Sequence, residues 1–324
     1  MTARLKVIYD TDPGVDDAMA LLLLARHPRI ELIGVTTVFG NATIDTTTRN
    51  ALYLKQAFGF SAPVARGAAK PINAPVAAAP VTFVHGDNGL GNIPIPAVTE
   101  TADTRSAAEL IIDLVRAHPN EVTIIAVGRM TNLAEAIARD PGIVPLVKSV
   151  SVMGGAFGRN GHYGNVTPVA EANIYGDPVA ADIAFGADWP MTIVGLDVTH
   201  ESVMTDDYMK ALAADAGEDG AFLWEVSRFY AKFYTSAKRT LNGFAVHDSS
   251  AVAAVLHPEF FGHEEGPVRV VHDGIAKGQT ILKDEHGNDR LGDWSGRPSC
   301  NVAVSVDAPA FLDFYRDTVV NGAR

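Results

Sequence analysis

Cysteine is nearly absent: Cys300 is the only one in 324 residues, so an internal disulfide and a cysteine-built zinc site are both excluded. A cytoplasmic, reduced protein is the expectation. Long apolar runs are also missing. The longest, Ala18 to Ala25, falls far short of the roughly 20 residues that span a bilayer. The N-terminal Met-Thr-Ala-Arg-Leu-Lys leads into a strand-like segment without the regions of a signal peptide, so no membrane partner is expected. Positive charge is scarce, with 26 basic residues against 38 acidic and a net charge of −12. A surface of that sign repels phosphate backbones, and nucleic acid is not an expected partner. Repeats and low-complexity tracts are lacking too. What remains, 47% hydrophobic and 20% charged, is an ordinary globular composition, and one domain over residues 1–324 is expected.

Short β-rich apolar runs alternate with segments of helical period. Strands are expected at Leu5–Tyr9, Ile30–Val38, Val122–Val127, Val147–Met153 and Met191–Leu196. Helices are expected near 17–26, 46–58, 104–117, 131–139 and 177–187. This is the pattern of an α/β fold: an open, mostly parallel, mixed sheet with helices on both faces. Beyond residue 200 the sequence predicts a long helix near 219–240 and a short one from Asp248. A β-rich stretch from Val268 to Val306 and a last helix near 308–320 follow. The Ala/Pro-rich piece at 74–81 reads as a loop.

In such a sheet, ligands sit beyond the carboxyl ends of the strands. There the first strand runs into Asp10-Thr-Asp12-Pro-Gly-Val-Asp16-Asp17. Four aspartates in eight residues, at a sheet mouth and a helix start, are expected to crowd their charges and require a cation. Oxygen-only ligands suit calcium or magnesium, and the lack of neighbouring His or Cys argues against zinc or copper. A purely structural role for Asp16 and Asp17, favouring a helix N-terminus, accounts for those two but not for Asp10 and Asp12. Asp-x-Asp after a first strand also opens the phosphatases that form an aspartyl-phosphate, although Pro13-Gly14-Val15-Asp16-Asp17 is not their usual continuation.

The segment Asp10 to Ala18 resembles the N-terminal signature of the nucleoside hydrolases, the inosine-uridine-preferring N-ribohydrolase family. Further similar blocks follow in the family's order: Val-Thr-Thr-Val-Phe-Gly-Asn41, Val-His85-Gly-Asp-Asn-Gly-Leu, Gly128-Arg-Met-Thr-Asn-Leu-Ala, Val152-Met-Gly-Gly, Gly164-Asn165 through Glu171-Ala-Asn173, Gly195-Leu-Asp-Val-Thr and Val246-His247-Asp248. The resemblance implies a Rossmann-like fold and calcium-dependent hydrolysis of a ribonucleoside to free base and ribose. A homodimer or homotetramer is also implied. Asp12, Asp17, Asp248 and the carbonyl of Val127 would hold calcium, with Asp12 also the general base. Asp16, Asn41, Asn165, Glu171 and Asn173 would clamp the ribose, and Met153 would line the substrate pocket.

Glu171-Ala-Asn173 reads as an extended segment with both polar groups on one side. Ala172 stands where the family often carries a bulky aromatic, which leaves room around the sugar or base. His247 would give a proton to the leaving base, and His85 would line the same pocket; otherwise His247 is simply a helix-start neighbour. Tyr230 and Tyr234 share a helical face, which suits either contact with a base or core packing. Two alternatives stay open: a non-catalytic nucleoside or sugar binder with structural calcium, and a metal-dependent phosphatase.

Overall fold

The computed structural model describes residues 4–236, 242–283 and 286–322. Its strands, in chain order, are β1 Leu5–Thr11, β2 Ile30–Thr37, β3 Val64–Arg66, β4 Val122–Ala126, β5 Ser149–Met153, β6 Met191–Val194, β7 Val203–Thr205, β8 Gly243–Ala245, β9 Phe261–Gly266, β10 Val268–Val270, β11 Thr280–Leu282 and β12 Cys300–Val306. Eight of them form one sheet in the order β3-β2-β1-β4-β5-β6-β12-β9, and two short pairs, β7–β8 and β10–β11, lie outside it. The β9–β12 pairing is antiparallel and the other pairings of the main sheet are parallel.

Alternation along each strand divides the core into two layers. Val7, Tyr9, Ile125, Met153 and Val194 pack on one face, under helices Val15–Arg26, Gly217–Ser236, Asp248–Leu256 and Ala308–Asn321. Ile8, Ile124, Val152 and Ile193 pack on the other, under Ala107–Ala117, Thr131–Arg139 and Pro178–Phe185. Helix Val15–Arg26 is apolar almost all round, and Leu21, Leu22, Leu23 and Leu24 are all buried. Each such side chain stabilises the fold by about 1.5–3 kcal/mol when removed from water. Among the described residues no helix is long and apolar enough to cross a membrane.

The expected elements form with ends shifted by a few residues. The last residues of the expected 219–240 helix, 237–240, lie outside the described set; the described part is Gly217–Ser236. It follows a separate helix, Asp206–Asp215, started by Thr205, whose hydroxyl accepts the Tyr208 N–H at 3.1 Å. β3 is only three residues long, too short to show a period. β9, Phe-Gly-His-Glu-Glu-Gly, is an edge strand whose outer positions are polar, so no apolar run marks it. Residues 74–81 carry no regular structure, as expected.

The chain moves outward one way through β1, β2 and β3 and the other way through β4, β5 and β6. The two directions part between β1 and β4, whose Asp10 and Ala126 are paired. The crevice beyond those carboxyl ends is where such sheets bind ligands.

Candidate active site

β1 ends at Thr11, and the chain turns through Asp12-Pro13-Gly14 into the helix that starts at Val15. Gly14 is needed for room: a Cβ there would lie 2.6 Å from His85 Nδ1 and 2.8 Å from the Asn41 amide nitrogen. Asp17 organises the turn. Its Oδ1 accepts from the Thr11 hydroxyl at 2.5 Å and the Asp12 N–H at 3.1 Å. Its Oδ2 accepts from the Gly14 N–H and the Asn41 amide, both at 2.9 Å. The helix-start role of Asp17 is therefore real.

Asp16, Asp17 and Asp248 each bring a carboxylate oxygen within 4.8 Å of the others, all three buried. Asp248 arrives from the first turn of helix Asp248–Leu256. Asp12 is fully buried beside them. Its Oδ2 accepts from the Asn41 N–H at 2.6 Å and from the Arg129 guanidinium, while Oδ1 is buried with no hydrogen-bond partner. Asp16 Oδ1 is also buried without a hydrogen bond, and Asp16 Oδ2 accepts from the Tyr230 hydroxyl at 3.3 Å. Asp10 does not join the group, contrary to the sequence expectation. Its Oδ1 is taken by Thr36 at 2.5 Å and Asn132 at 2.7 Å, so it ties β1 to β2 and to helix Thr131–Arg139.

Burial raises the pKa of Asp12, Asp16, Asp17 and Asp248, and neighbouring carboxylates push Asp12, Asp16 and Asp248 further; Asp16 reaches about 7. Ionising them together is costly without a counter-charge, and a donor set made only of oxygen fits a hard divalent cation.

Glu171 corrects the extended reading of its segment. Ala172–Gly176 is helical, and the Glu171 carboxylate starts that helix by accepting the N–H groups of Asn173 at 2.8 Å and Ile174 at 3.1 Å. The alternation of polar residues came from this capping, together with a third bond from Gly155 N–H at 3.1 Å. The Asn173 amide nitrogen donates to the carbonyls of Val127 at 2.8 Å and Met153 at 3.2 Å, joining the ends of β4 and β5. Asn41, expected at the ribose, gives its backbone N–H to Asp12 and one amide N–H to Asp17.

Many of these residues, though not Asp12 or Asp17, border a pocket of about 740 Å³, counting its open mouth, within the range of small-molecule sites. Asp16, Asn41, His85, Val127, Met153, Asn165, Glu171, Ala172, Asn173, Tyr230, Tyr234, His247 and Asp248 all line it. Asn165 sits on its exposed side. Both tyrosines of the helical pair line the pocket while packing in the core. Tyr234 hydroxyl meets His247 Nε2 at 2.6 Å, and Thr199 Oγ1 meets His247 Nδ1 at 2.7 Å. His85 Nδ1 accepts the Val15 N–H at 3.2 Å, which leaves the proton on Nε2. Burial and Arg129 hold its pKa down at about 3, so His85 acts as a neutral hydrogen-bond donor rather than an imidazolium acid.

Sequence reasoning gave no role to Arg129, Thr199 or Phe83. Arg129 had one visible signal, an arginine two residues after the apolar run of β4. Thr199 and Phe83 had none, because their distance from His247 and the pocket is set by tertiary packing.

The profile of the inosine-uridine preferring nucleoside hydrolases matches residues 7–313. Uridine nucleosidase 1 of Arabidopsis thaliana is 38% identical over 316 residues, covering 96% of this chain and 92% of the relative. The inosine-uridine preferring nucleoside hydrolase of Crithidia fasciculata is 40% identical over 323 residues, covering 97% of each. Among solved structures, the purine-preferring ribonucleoside hydrolase from Gardnerella vaginalis superposes with a TM-score of 0.90 at 33% identity, covering 98% of both chains.

Proposed function

Because the chain belongs to the inosine-uridine preferring nucleoside hydrolase family and hydrolyses the N-glycosidic bond of ribonucleosides, we propose that this chemistry takes place in the pocket above Asp12, Asp17 and Asp248, with calcium as the cation. Family membership removes the phosphatase and the pure binder. The observation that carries the reading is the buried cluster of Asp16, Asp17 and Asp248, with Asp12 Oδ1 and Asp16 Oδ1 among the buried carboxylate oxygens that have no hydrogen bond.

Asp17 and Asp248 hold the ion in this reading, with Asp12 and the Val127 carbonyl; Asp16 is close enough to share it. A carbonyl oxygen has two lone pairs, so the Asn173 bond to Val127 leaves one. When bound, calcium makes water more acidic and orients the vicinal hydroxyls of the sugar. Asp12 Oδ1 takes the proton of the attacking water as general base, and His247 returns one to the departing base. Asp16, Asn41, Asn165, Asn173 and the remaining lone pair of Glu171 receive the ribose, with Met153 behind it. Tyr230, Tyr234 and His85 contact the base. One domain carries all of this, the protein works in the cytoplasm, and its subunits form a homodimer or homotetramer. Light scattering tests that association.

A site that hydrogen-bonds a hydroxyl rejects the analogue lacking it. Deoxyuridine and deoxyinosine should therefore be hydrolysed at least about 10²-fold less efficiently than the ribosides, measured as kcat/KM; parity would sink the clamp.

Calcium removal should abolish turnover and lower the melting temperature. The sign of the pH effect follows from the raised carboxyl pKa values. Between about pH 4 and 7 the native state binds more protons than the unfolded chain, so metal-free stability falls as pH rises through that window. The ion requires the ionised carboxylates, so the rise in melting temperature on adding calcium should be larger at pH 8 than at pH 5. Full activity in chelator, with zero metal by elemental analysis, would overturn the assignment.

A further inference from the structure

Arg129 follows β4 and is 8% exposed, and its guanidinium is paired with Asp12 Oδ2. The Asn41 N–H shares that oxygen, so both donors hold one side of the carboxylate and leave Oδ1 alone. The arginine reaches Asp12 between two glycines. A Cβ on Gly40 would lie 1.8 Å from its NH1 and 2.5 Å from Cζ; one on Gly176 would lie 2.5 Å from Nε and 2.9 Å from Cγ. Neither glycine has a positive φ, so room rather than backbone conformation demands glycine: at Gly176 for Arg129, and at Gly40 for the Arg129–Asp12 pair, whose Asp12 Oδ2 would lie 2.0 Å from a Cβ. The Phe39 ring borders the guanidinium at 5.8 Å.

We propose that Arg129 is a positioning residue for hydrolysis: threaded through the Gly40–Gly176 channel, it locks Asp12 so that Oδ1 alone is presented to the attacking water. This rests on the general-base reading of Asp12. The guanidinium also stands beside the acidic cluster, paired with Asp12.

The test uses Arg129→Ala and Arg129→Lys, with kcat, KM, melting temperature and a calorimetric calcium isotherm for each. Arg129→Ala should lose roughly 10²-fold in kcat with KM within about threefold, the scale of removing one fixed donor from a site. Calcium should bind at least as tightly as in the wild type, because a nearby cation is gone. Added guanidinium should re-enter the channel and restore part of kcat. Arg129→Lys should fall between, since an ammonium keeps the charge but not the planar fork. On an Asp12→Asn background, Arg129→Ala should cost no further turnover, whereas an independent structural role would add its own loss.

An unchanged kcat, a loss not rescued by guanidinium in folded protein, or a weakened calcium isotherm accompanying the loss would each overturn the proposal. If Arg129→Ala does not fold, Arg129→Lys decides by the same kcat, isotherm and double-variant criteria. Should Asp12→Asn itself retain turnover, the general-base reading fails instead, and that outcome is read separately.

Discussion

Asp12→Ala is expected to lower turnover by roughly 10²–10⁴-fold or more, the contribution of a general base, with a further loss from the missing calcium ligand. The geometry makes the expectation specific to one atom. Oδ2 is committed to Asn41 and Arg129, and Oδ1 is the buried oxygen with no hydrogen bond. Alanine removes both and strands the Arg129 guanidinium, and leaving one member of a buried pair unpartnered costs about 3–5 kcal/mol. Asp12→Asn is the cleaner probe. Its amide oxygen still satisfies Asn41 and Arg129, which forces the NH₂ into the place of Oδ1, where it cannot accept a proton. The asparagine variant should fold and melt near the wild type yet lose turnover to a similar degree. Retention of more than about a tenth of wild-type turnover in either variant is far outside the general-base range and would assign the proton to another group.

Asn173→Ala gives the contrast. Its amide nitrogen spans the carbonyls that end β4 and β5, so its removal loosens the pocket wall as well as the proposed sugar contact. Turnover and apparent affinity should both suffer, because sugar contacts act in the ground state and strengthen in the transition state. Steady-state kinetics separates this pattern from the nearly pure kcat effect at Asp12.

The parallel sheet was legible because β1, β2, β4, β5 and β6 are short segments rich in Val, Ile, Leu and Met, although Lys6, Glu31, Ser149 and Ser151 interrupt them. What escaped was short or edge-exposed. β3 offers three residues, and β9 is half polar because it meets water on one side. The site was legible as chemistry but less so as geometry. Asp12, Asp17 and Asp248 were named through the family resemblance, and the carboxylates that gather within 4.8 Å are those of Asp16, Asp17 and Asp248. Yet Asp10, equally conspicuous in sequence, is held by Thr36 and Asn132, partners 26 and 122 residues away. Glu171 shows a second limit. A carboxylate two residues before an amide looks the same in sequence whether the backbone is extended or turns into a helix, and only the capping bonds decide. Arg129 shows a third: its partner is 117 residues distant, and its path is defined by the absence of side chains at Gly40 and Gly176.

His247→Ala should cripple hydrolysis of inosine, where roughly 10²–10⁴-fold of general-acid catalysis is at stake, while sparing a nitrophenyl riboside, whose leaving group departs without a proton. The imidazole is fixed at both nitrogens, by Thr199 at Nδ1 and Tyr234 at Nε2, so its ring cannot turn without breaking a bond of 2.6–2.7 Å. The two substrates form an internal control. A misfolded or metal-free variant loses both activities, whereas an enzyme lacking only its acid loses one. Equal losses in folded, calcium-loaded protein would mean that His247 positions Asp248 or the sugar. His85 is a poor substitute acid, because burial and Arg129 keep its imidazole neutral with a pKa of about 3. The Tyr234 hydroxyl is the better candidate for carrying the proton, since it already touches Nε2 and lines the pocket. Tyr234→Phe keeps the ring and removes only that hydroxyl. A selective loss on inosine in Tyr234→Phe, matching that of His247→Ala, would place the hydroxyl between imidazole and base. Near-normal inosine hydrolysis in the same variant would mean that Nε2 delivers its proton directly.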